Sequence, residues 1–421
     1  MKKRYKIITL GCRTNQYESQ AYKDQLEKLG YEEAFEGQAE FCIVNTCTVT
    51  ASADQRSRYQ IQKLARENQG SRLFVTGCFA ERARDEILQI PGVEAVVSNK
   101  EKEQLVAYAF PDQSVPEFAI ENFQAHTRAF LKVQDGCNSY CSYCVIPFVR
   151  GRSRSKRLEL IVEEAKALVE NGYREIVITG INVGDFDGAP LEGEEPKKLK
   201  DVVLALEPIE GLDRIRISSI DPDEVDDELL QVIANSKKAC PSMHIVLQSG
   251  SNMILKLMRR KYSMQDFYNT VNRLKNASPL FTFTTDVIVG FPGETEQAFM
   301  ETMEVIEKIE FAKVHMFPFS SRPGTRAERM TGHLPADIID ERKHRILKKA
   351  DEVAFLLREK YIGKKLQVLL ESEDEHRPGY LCGYSENFLR VSVPADGLRT
   401  NEIVTVLCES NDHEGLIGCL G

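Results

Sequence analysis

Leu131-Lys132-Val133-Gln134-Asp135-Gly136-Cys137-Asn138-Ser139-Tyr140-Cys141-Ser142-Tyr143-Cys144 joins an apolar strand to a short loop with three thiols in a Cys-x3-Cys-x2-Cys pattern. Three thiolates on one loop can ligate three corners of an iron–sulfur cubane, which leaves the fourth iron open to a small chelator. Zinc held by three Cys is the plainer alternative. Structural zinc takes four ligands, however, and no other His or Cys lies near this loop.

Strand and helix patterns alternate on both sides of the loop. Strands are predicted at Ala129–Val133, Glu175–Thr179, Arg214–Ser218, His244–Leu247, Thr282–Val289 and Ala312–Phe317. Helical patterns such as Leu158–Glu170, Lys198–Leu206, Met264–Lys275 and Thr295–Ile309 fall between them, and Ala336–Tyr361 closes the series. Six such units predict a partial (βα)6 barrel with ligand sites at the carboxyl ends of its strands. Upstream, apolar runs at Tyr5–Leu10, Phe41–Asn45, Leu73–Thr76 and Val93–Val97 alternate with helices at Glu18–Leu29, Ser52–Asn68 and Ala80–Leu88. This predicts a small doubly wound α/β unit. Cys12, Cys47 and Cys78 each follow one of its strands, at the edge where open α/β sheets form their ligand crevice. Pro111–Gln124 has no periodicity and reads as a linker. The tail carries five short strand patterns, Leu366–Glu371, Gly379–Gly383, Phe388–Val393, Ile403–Glu409 and Gly415–Cys419, which suit a small antiparallel OB-like barrel. The resulting division is 1–112, 123–357 and 358–421, an α/β chain throughout its first two parts.

Composition narrows the function classes. The 421 residues are 42% hydrophobic and 28% charged, which excludes disorder and collagen-like sequence. No apolar run approaches the ~20 residues of a membrane span. A net charge of -9 argues against a protein that coats nucleic acid and leaves room for a local basic patch. Eleven Cys in a chain of this length favour a reducing compartment with metal or catalytic thiols, hence a cytoplasmic location. The opening Met1–Cys12 ends in Leu-Gly-Cys like a lipoprotein signal, but Lys6 interrupts it and the apolar part is too short. It reads instead as a strand ending at Cys12.

With these residues in view, the chain resembles the radical SAM methylthiotransferases, over nearly its whole length. The Cys137–Cys144 loop, with an aromatic before its last Cys, is similar to the superfamily's cluster loop. Thr9-Leu-Gly-Cys12-Arg-Thr-Asn-Gln-Tyr17, Asn45-Thr-Cys47-Thr-Val-Thr50 and Thr76-Gly-Cys78 resemble the family's amino-terminal domain. Pro147–Ser155, Leu247–Ser251, Thr285–Glu294 and Ser321–Thr325 match it too, and the tail resembles its RNA-binding TRAM domain. Two 4Fe-4S clusters and S-adenosylmethionine (SAM) are then implied. Cys137, Cys141 and Cys144 would hold the cluster that cleaves SAM to a 5′-deoxyadenosyl radical. Cys12, Cys47 and Cys78 would hold an auxiliary cluster carrying the sulfur to be inserted. No side-chain acid or base removes an adenine C–H proton near neutral pH, so radical abstraction answers a real chemical need.

The stretches 45–50 and 150–155 resemble the MtaB-type branch, which acts on N6-threonylcarbamoyladenosine beside the tRNA anticodon. The implied reaction is methylthiolation of C2 with two SAM per turnover. The implied partners are the tRNA anticodon stem-loop, a low-potential flavodoxin- or ferredoxin-like electron donor and a sulfur donor. The rivals are methylthiolation of isopentenyladenosine, modification of a protein, and a zinc-containing RNA-binding protein without radical chemistry.

For SAM, the resemblance implies Tyr143 between two ligands and Thr179, Gly180 and Asn182 near the amino group. Asp286 and Gly290 lie on the strand expected at the adenine, and Ser218 and Gln248 end other strands. Capping of strand ends is the structural alternative for all but Tyr143. Arg150, Arg152, Arg154, Lys156 and Arg157 form a basic run without an acid. It reads either as a solvated face or as a contact for tRNA phosphates. The tail has six Lys/Arg against ten Asp/Glu, so RNA contact there needs a local basic face (Lys364, Lys365, Arg390, Arg399) or stacking by Tyr380, Tyr384 and Phe388. Cys42, Cys240, Cys382, Cys408 and Cys419 read as small buried hydrophobes, and His244 and His315 as structural.

Overall fold

A computed structural model describes residues 3–123 and 127–421. Gln124, the last residue of the expected linker, and Met1 and Lys2 lie outside the described residues.

The amino-terminal sheet is parallel, with strands in the spatial order Glu32–Glu33, Arg4–Thr9, Phe41–Thr46, Arg72–Gly77 and Val93–Val96. The central strand is buried at every residue, as a sheet covered on both faces requires. Phe41 and Ile43 pack on one face with Tyr5 and Phe74, while Cys42 and Val44 pack on the other with Leu73 and Val75. The two-residue edge strand at Glu32–Glu33 is too short to leave a period in the sequence. The first helix, Arg13–Lys28, starts directly after Cys12 rather than at Glu18. Its opening turn is polar and yet buried at Thr14, Asn15, Tyr17 and Glu18, so no apolar stripe announces it. The third helix is broken at Ala83 into Cys78–Arg82 and Arg84–Leu88.

The central strands Arg128–Lys132, Glu175–Thr179, Arg214–Ile217, Ser242–Ile245, Thr282–Val289 and Lys313–Pro318 are parallel and form an open barrel. The third strand is interrupted at Ser218. Arg214–Ile217 pairs with its predecessor, and Ser219–Ile220 pairs with the fourth strand. Helix Asp227–Asn235, which the sequence reading did not include, and helix Asn252–Leu257 complete the outer layer. The stretch 111–123 is no solvated spacer. Ile120 and Phe123 are buried in the barrel core, the Asp24 carboxylate accepts the Glu121 N–H at 2.7 Å, and Gln25 donates to the Pro116 carbonyl at 2.7 Å.

The tail closes into a barrel in the order Lys365–Glu373, Tyr380–Ser385, Arg390–Pro394, Leu416–Leu420, Ile403–Asn411. One pair departs from the antiparallel expectation: Arg390–Pro394 and Leu416–Leu420 run parallel, with Val391 opposite Leu416. This barrel docks on the amino ends of the central strands. Arg214 donates to the carbonyls of Gln367 and Tyr384, Arg216 to those of Ser385 and Glu386, and Arg128 pairs with Glu371 at 2.6 Å. Tyr384 and Phe388 stack at 4.7 Å, with Arg128 4.9 Å and 5.3 Å from their centroids and Arg216 4.9 Å from Phe388. Two of the three rings expected to stack on RNA therefore hold the domains together by cation–π contact. Arg390 is tied to Asp374, whereas Lys365 and Arg399 are exposed. Cys419, expected to be buried, is half-buried and donates to Glu409.

Arg216 also pairs with buried Glu175 at 2.7 Å. Arg216→Ala leaves that carboxylate with Arg214, 3.4 Å away, and removes the contacts to Ser385, Glu386 and Phe388, so it should lower the thermal midpoint clearly, while Lys365→Ala should leave the midpoint unchanged. Equal midpoints for the two variants in thermal denaturation would contradict this role.

Candidate functional site

Parallel register brings the three amino-terminal cysteines to one sheet edge. Asn45 pairs with Thr9, and Thr46 with Gly77, so the loops that follow these strands start level. Gly11 and Gly77 precede Cys12 and Cys78 with φ of +98° and +93°. A Cβ on Gly11 would meet Cys47, and one on Gly77 would meet Thr46 and Asn45. Only glycine accepts both the backbone angle and the crowding. Side chains then fasten the loops to one another. The Asn15 amide donates to the carbonyls of Leu10 and Thr46, at 2.6 and 3.0 Å. The Thr46 hydroxyl donates to the Thr76 carbonyl and accepts from the Ala80 N–H. Ser57 bonds both the N–H and the carbonyl of Cys47. Burial pushes the Cys47 thiol up to about 11 and raises Cys78 as well. Cys12 is exposed, so the trio has one open side.

The second loop is built the same way. Gly136 has φ +75°, and a Cβ there would strike the Arg152 carbonyl. The Ser139 and Ile146 N–H groups donate to the sulfurs of Cys137 and Cys144, each at 3.4 Å. Arg260 Nη1 donates to Cys141 Sγ at 3.0 Å while its other arm pairs with Asp221. Ser142 anchors the loop to Leu257 and Met258. Burial pushes Cys144 up to about 12.

A cavity of about 340 Å³ opens beside this loop. Cys137, Cys141 and Cys144 line it together with Tyr143, Asn182, Gln248 and Asp286. Gln248 has φ +60°, and its buried side-chain amide oxygen has no partner among the described residues. Asn182 donates to Glu224 at 2.7 Å. The other four residues named for SAM do not line the cavity. The Thr179 hydroxyl donates to the Val177 carbonyl. A Cβ on Gly180 would crowd Gln134, whose carbonyl accepts the N–H of Ile181 and Asn182. Ser218 is buried at the barrel's break, and Gly290 faces Ile339 and donates its N–H to Glu294. Val49 and Thr50, just after Cys47, line the same cavity, so both cysteine regions border one space.

Arg150 does not belong with the tRNA contacts. Its side chain is fully buried, with Nη1 3.0 Å from Glu18 and 2.8 Å from Asp135. Its Nε donates to Cys78 Sγ at 3.2 Å. Lys156 pairs with Glu164. Arg154 reaches Asp135 at 3.5 Å, and Arg157 reaches Glu159 and Glu194 at 3.2 and 3.5 Å. Arg152 is exposed and makes no ion pair among the described residues. The sequence reading missed Arg260 and Asp221, and nothing in their spacing points to them. His244, read as structural, bonds Thr284 through Nδ1 at 2.9 Å and has Nε2 3.4 Å from the cavity-lining Asp286.

Each trio offers three thiols, and the sulfurs of Cys78, Cys137, Cys141 and Cys144 each accept one N–H. Such donors stabilise iron-bound sulfur and tune its potential. Three thiols in each set, with N–H groups donating to four of the six sulfurs, are a donor set whose chemistry fits the protein ligands of a cubane.

Residues 131–306 match the Radical SAM superfamily model, and residues 4–98 match the Uncharacterized protein family UPF0004 model. The threonylcarbamoyladenosine tRNA methylthiotransferase MtaB of Chlamydia pneumoniae is 45% identical, over 98% of this chain and 97% of that protein. The chain belongs to the radical SAM methylthiotransferase family. The tRNA-2-methylthio-N(6)-dimethylallyladenosine synthase of Finegoldia magna, in another branch, is 32% identical over 93% of this chain and 89% of that protein. In fold, the chain is similar to the radical S-adenosylmethionine methyltransferase TsrM of Kitasatospora setae, solved with cobalamin and a 4Fe-4S cluster bound. That match has a TM-score of 0.55 at 13% identity and covers 91% of this chain and 81% of the other.

Burial, followed by the neighbouring Asp221 charge, pushes the Glu224 carboxyl up to about 7. The folded chain thus holds this proton more tightly than the unfolded chain does. Its cost is absent below the ordinary carboxyl pKa of 4.5, builds as pH rises from there to about 7, and is complete above that. Glu224→Gln should raise the thermal midpoint of the iron-free chain at pH 8 and leave it unchanged at pH 4.5. A midpoint gain that is the same at both pH values would contradict the shift.

Proposed function

We propose that this chain transfers a methylthio group to C2 of N6-threonylcarbamoyladenosine beside the tRNA anticodon, with two 4Fe-4S clusters and two SAM per turnover. The observation that carries the reading is the shared cavity, lined by the second cysteine loop and by Val49 and Thr50 after Cys47. A sulfur held at one trio and a reaction started at the other must meet at one carbon, and a common space permits that. The higher identity to an MtaB enzyme than to a dimethylallyladenosine synthase supports the threonylcarbamoyl branch.

Cys137, Cys141 and Cys144 would hold the cluster that supplies the electron for SAM cleavage, and Cys12, Cys47 and Cys78 the one that carries sulfur. The protein's own part is positioning and the exclusion of water. Asn182, oriented by Gln134 and Glu224, and the side-chain amide oxygen of Gln248 offer contacts for SAM's polar groups. Ile181, Ile220, Val246 and Ile288 make the wall apolar and keep water from a reactive carbon. Arg152, with Arg154 and Arg157 beside it, is the basic surface for tRNA phosphates. The proposed organisation remains an auxiliary-cluster domain at 1–112, a radical SAM core at 123–357 and a TRAM-like domain at 358–421. The setting is the cytoplasm, with a low-potential flavodoxin- or ferredoxin-like reductant and a separate sulfur donor. No helix among the described residues is long and apolar enough to cross a membrane.

Mass spectrometry of nucleosides from tRNA of cells with and without the gene should show methylthio mass lost from threonylcarbamoyladenosine alone. Loss from isopentenyladenosine, or no change, would refute the substrate. Replacing Arg152 and Arg154 by Gln should lower the salt slope of tRNA binding by roughly 0.7 per phosphate contact. An unchanged slope in a filter-binding titration would remove these residues from the interface.

A further inference from the structure

Arg150 sits in a buried cluster of five charged side chains, each less than a tenth exposed. Lys102 lies 2.7 Å from Glu18 and 2.6 Å from Asp135, and Lys132 lies 3.1 Å from each. Within this buried group three cations face two carboxylates, while the more exposed Arg154, 3.5 Å from Asp135, and Glu103, which acts on Lys132, lie at its edge. The guanidinium is aimed by its partners. Nη1 bridges Glu18 and Asp135, Nη2 bonds Asn15, and Nε is left to donate to Cys78 Sγ at 3.2 Å. The partners come from the amino-terminal unit and from the start of the central barrel. Asn15 and Glu18 belong to the helix opened by Cys12, while Asp135 precedes the Cys137 loop and Arg150 follows it.

We propose that Arg150 is the positioning residue of the auxiliary cluster: it hydrogen-bonds the Cys78 sulfur, ties that site to the second cysteine loop, and sets the cluster's reduction potential with buried positive charge. This rests on the reading of Cys12, Cys47 and Cys78 as cluster ligands. An iron–sulfur cubane on three thiolates is anionic, and each added electron makes it more so. A buried, fixed cation favours the reduced form, and low solvent access keeps its effect large. Arg260 plays the corresponding geometric part at Cys141, but it borders the cavity and is answered by Asp221. The two clusters are thereby given different surroundings by the same residue type.

The test uses the full chain with Cys137→Ala, Cys141→Ala and Cys144→Ala, so that only the auxiliary site can take up iron, followed by redox titration monitored by electron paramagnetic resonance. Arg150→Gln should shift the reduction equilibrium tenfold or more against the reduced cluster, which is about 59 mV for one electron. Glu18→Gln removes a carboxylate from the same network and should shift it the opposite way. Arg150→Lys keeps the charge without the Nε–H and should fall between Arg150→Gln and the parent. Where Arg150→Gln fails to fold or to bind iron, the other two variants decide. Potentials within twofold of the parent for every variant that binds iron would overturn the proposal. No cluster in the parent itself would instead refute the reading of the amino-terminal trio as a cluster site.

Discussion

Glu18, Asp135, Lys102, Lys132 and Arg150 are buried together where the first helix meets the barrel. Each ion gives up hydration worth several kcal/mol, which only close pairing can offset. That requirement fixes the first helix against the start of the barrel, because Glu18 lies on one and Lys132 and Asp135 on the other. The two units therefore have little freedom to slide, and the cysteines that flank the network inherit its rigidity. A second bridge, from Arg322 to Asp54 and Thr48, closes the opposite side of the same interface.

Three glycines convert that rigidity into metal-ligand geometry. Gly11, Gly77 and Gly136 each come directly before a cysteine, each with positive φ and with neighbouring atoms where a side chain would stand. The chain turns sharply at each strand end and presents a sulfur beside the next strand. The sulfurs then collect N–H donors from Ser139, Ile146, Arg150 and Arg260. The Gly-Cys pairs are thus the covalent form of a spatial rule: thiols at the carboxyl edge of a parallel sheet, held by backbone that no other residue accepts.

The strands were legible because buried parallel strands are continuous apolar runs; Cys12, Cys47 and Cys78 stand out because each follows one, and Cys137, Cys141 and Cys144 because they share one short loop. Less legible were features made by partners distant in sequence. Arg150 stands in a run without acids and reads as solvated, yet its carboxylates lie at Glu18 and Asp135. Tyr384 and Phe388 read as free rings, yet Arg128 and Arg216 from the central barrel cover them. The helix after Cys12 begins earlier than its apolar stripe because its first turn is buried for its polarity. Arg260 gave no signal, since one arginine within Arg259-Arg260-Lys261 after a short helix has no period that sets it apart, and only folding brings it to Cys141.

Mössbauer spectroscopy with iron and sulfide analysis of the anaerobically reconstituted full chain tests the central claim most directly. The account predicts two cubanes per chain, one lost when Cys12, Cys47 and Cys78 are replaced by Ala and the other lost when Cys137, Cys141 and Cys144 are replaced. Stoichiometric zinc with no cubane, or one cubane that survives removal of the first trio with nothing else lost, would contradict it.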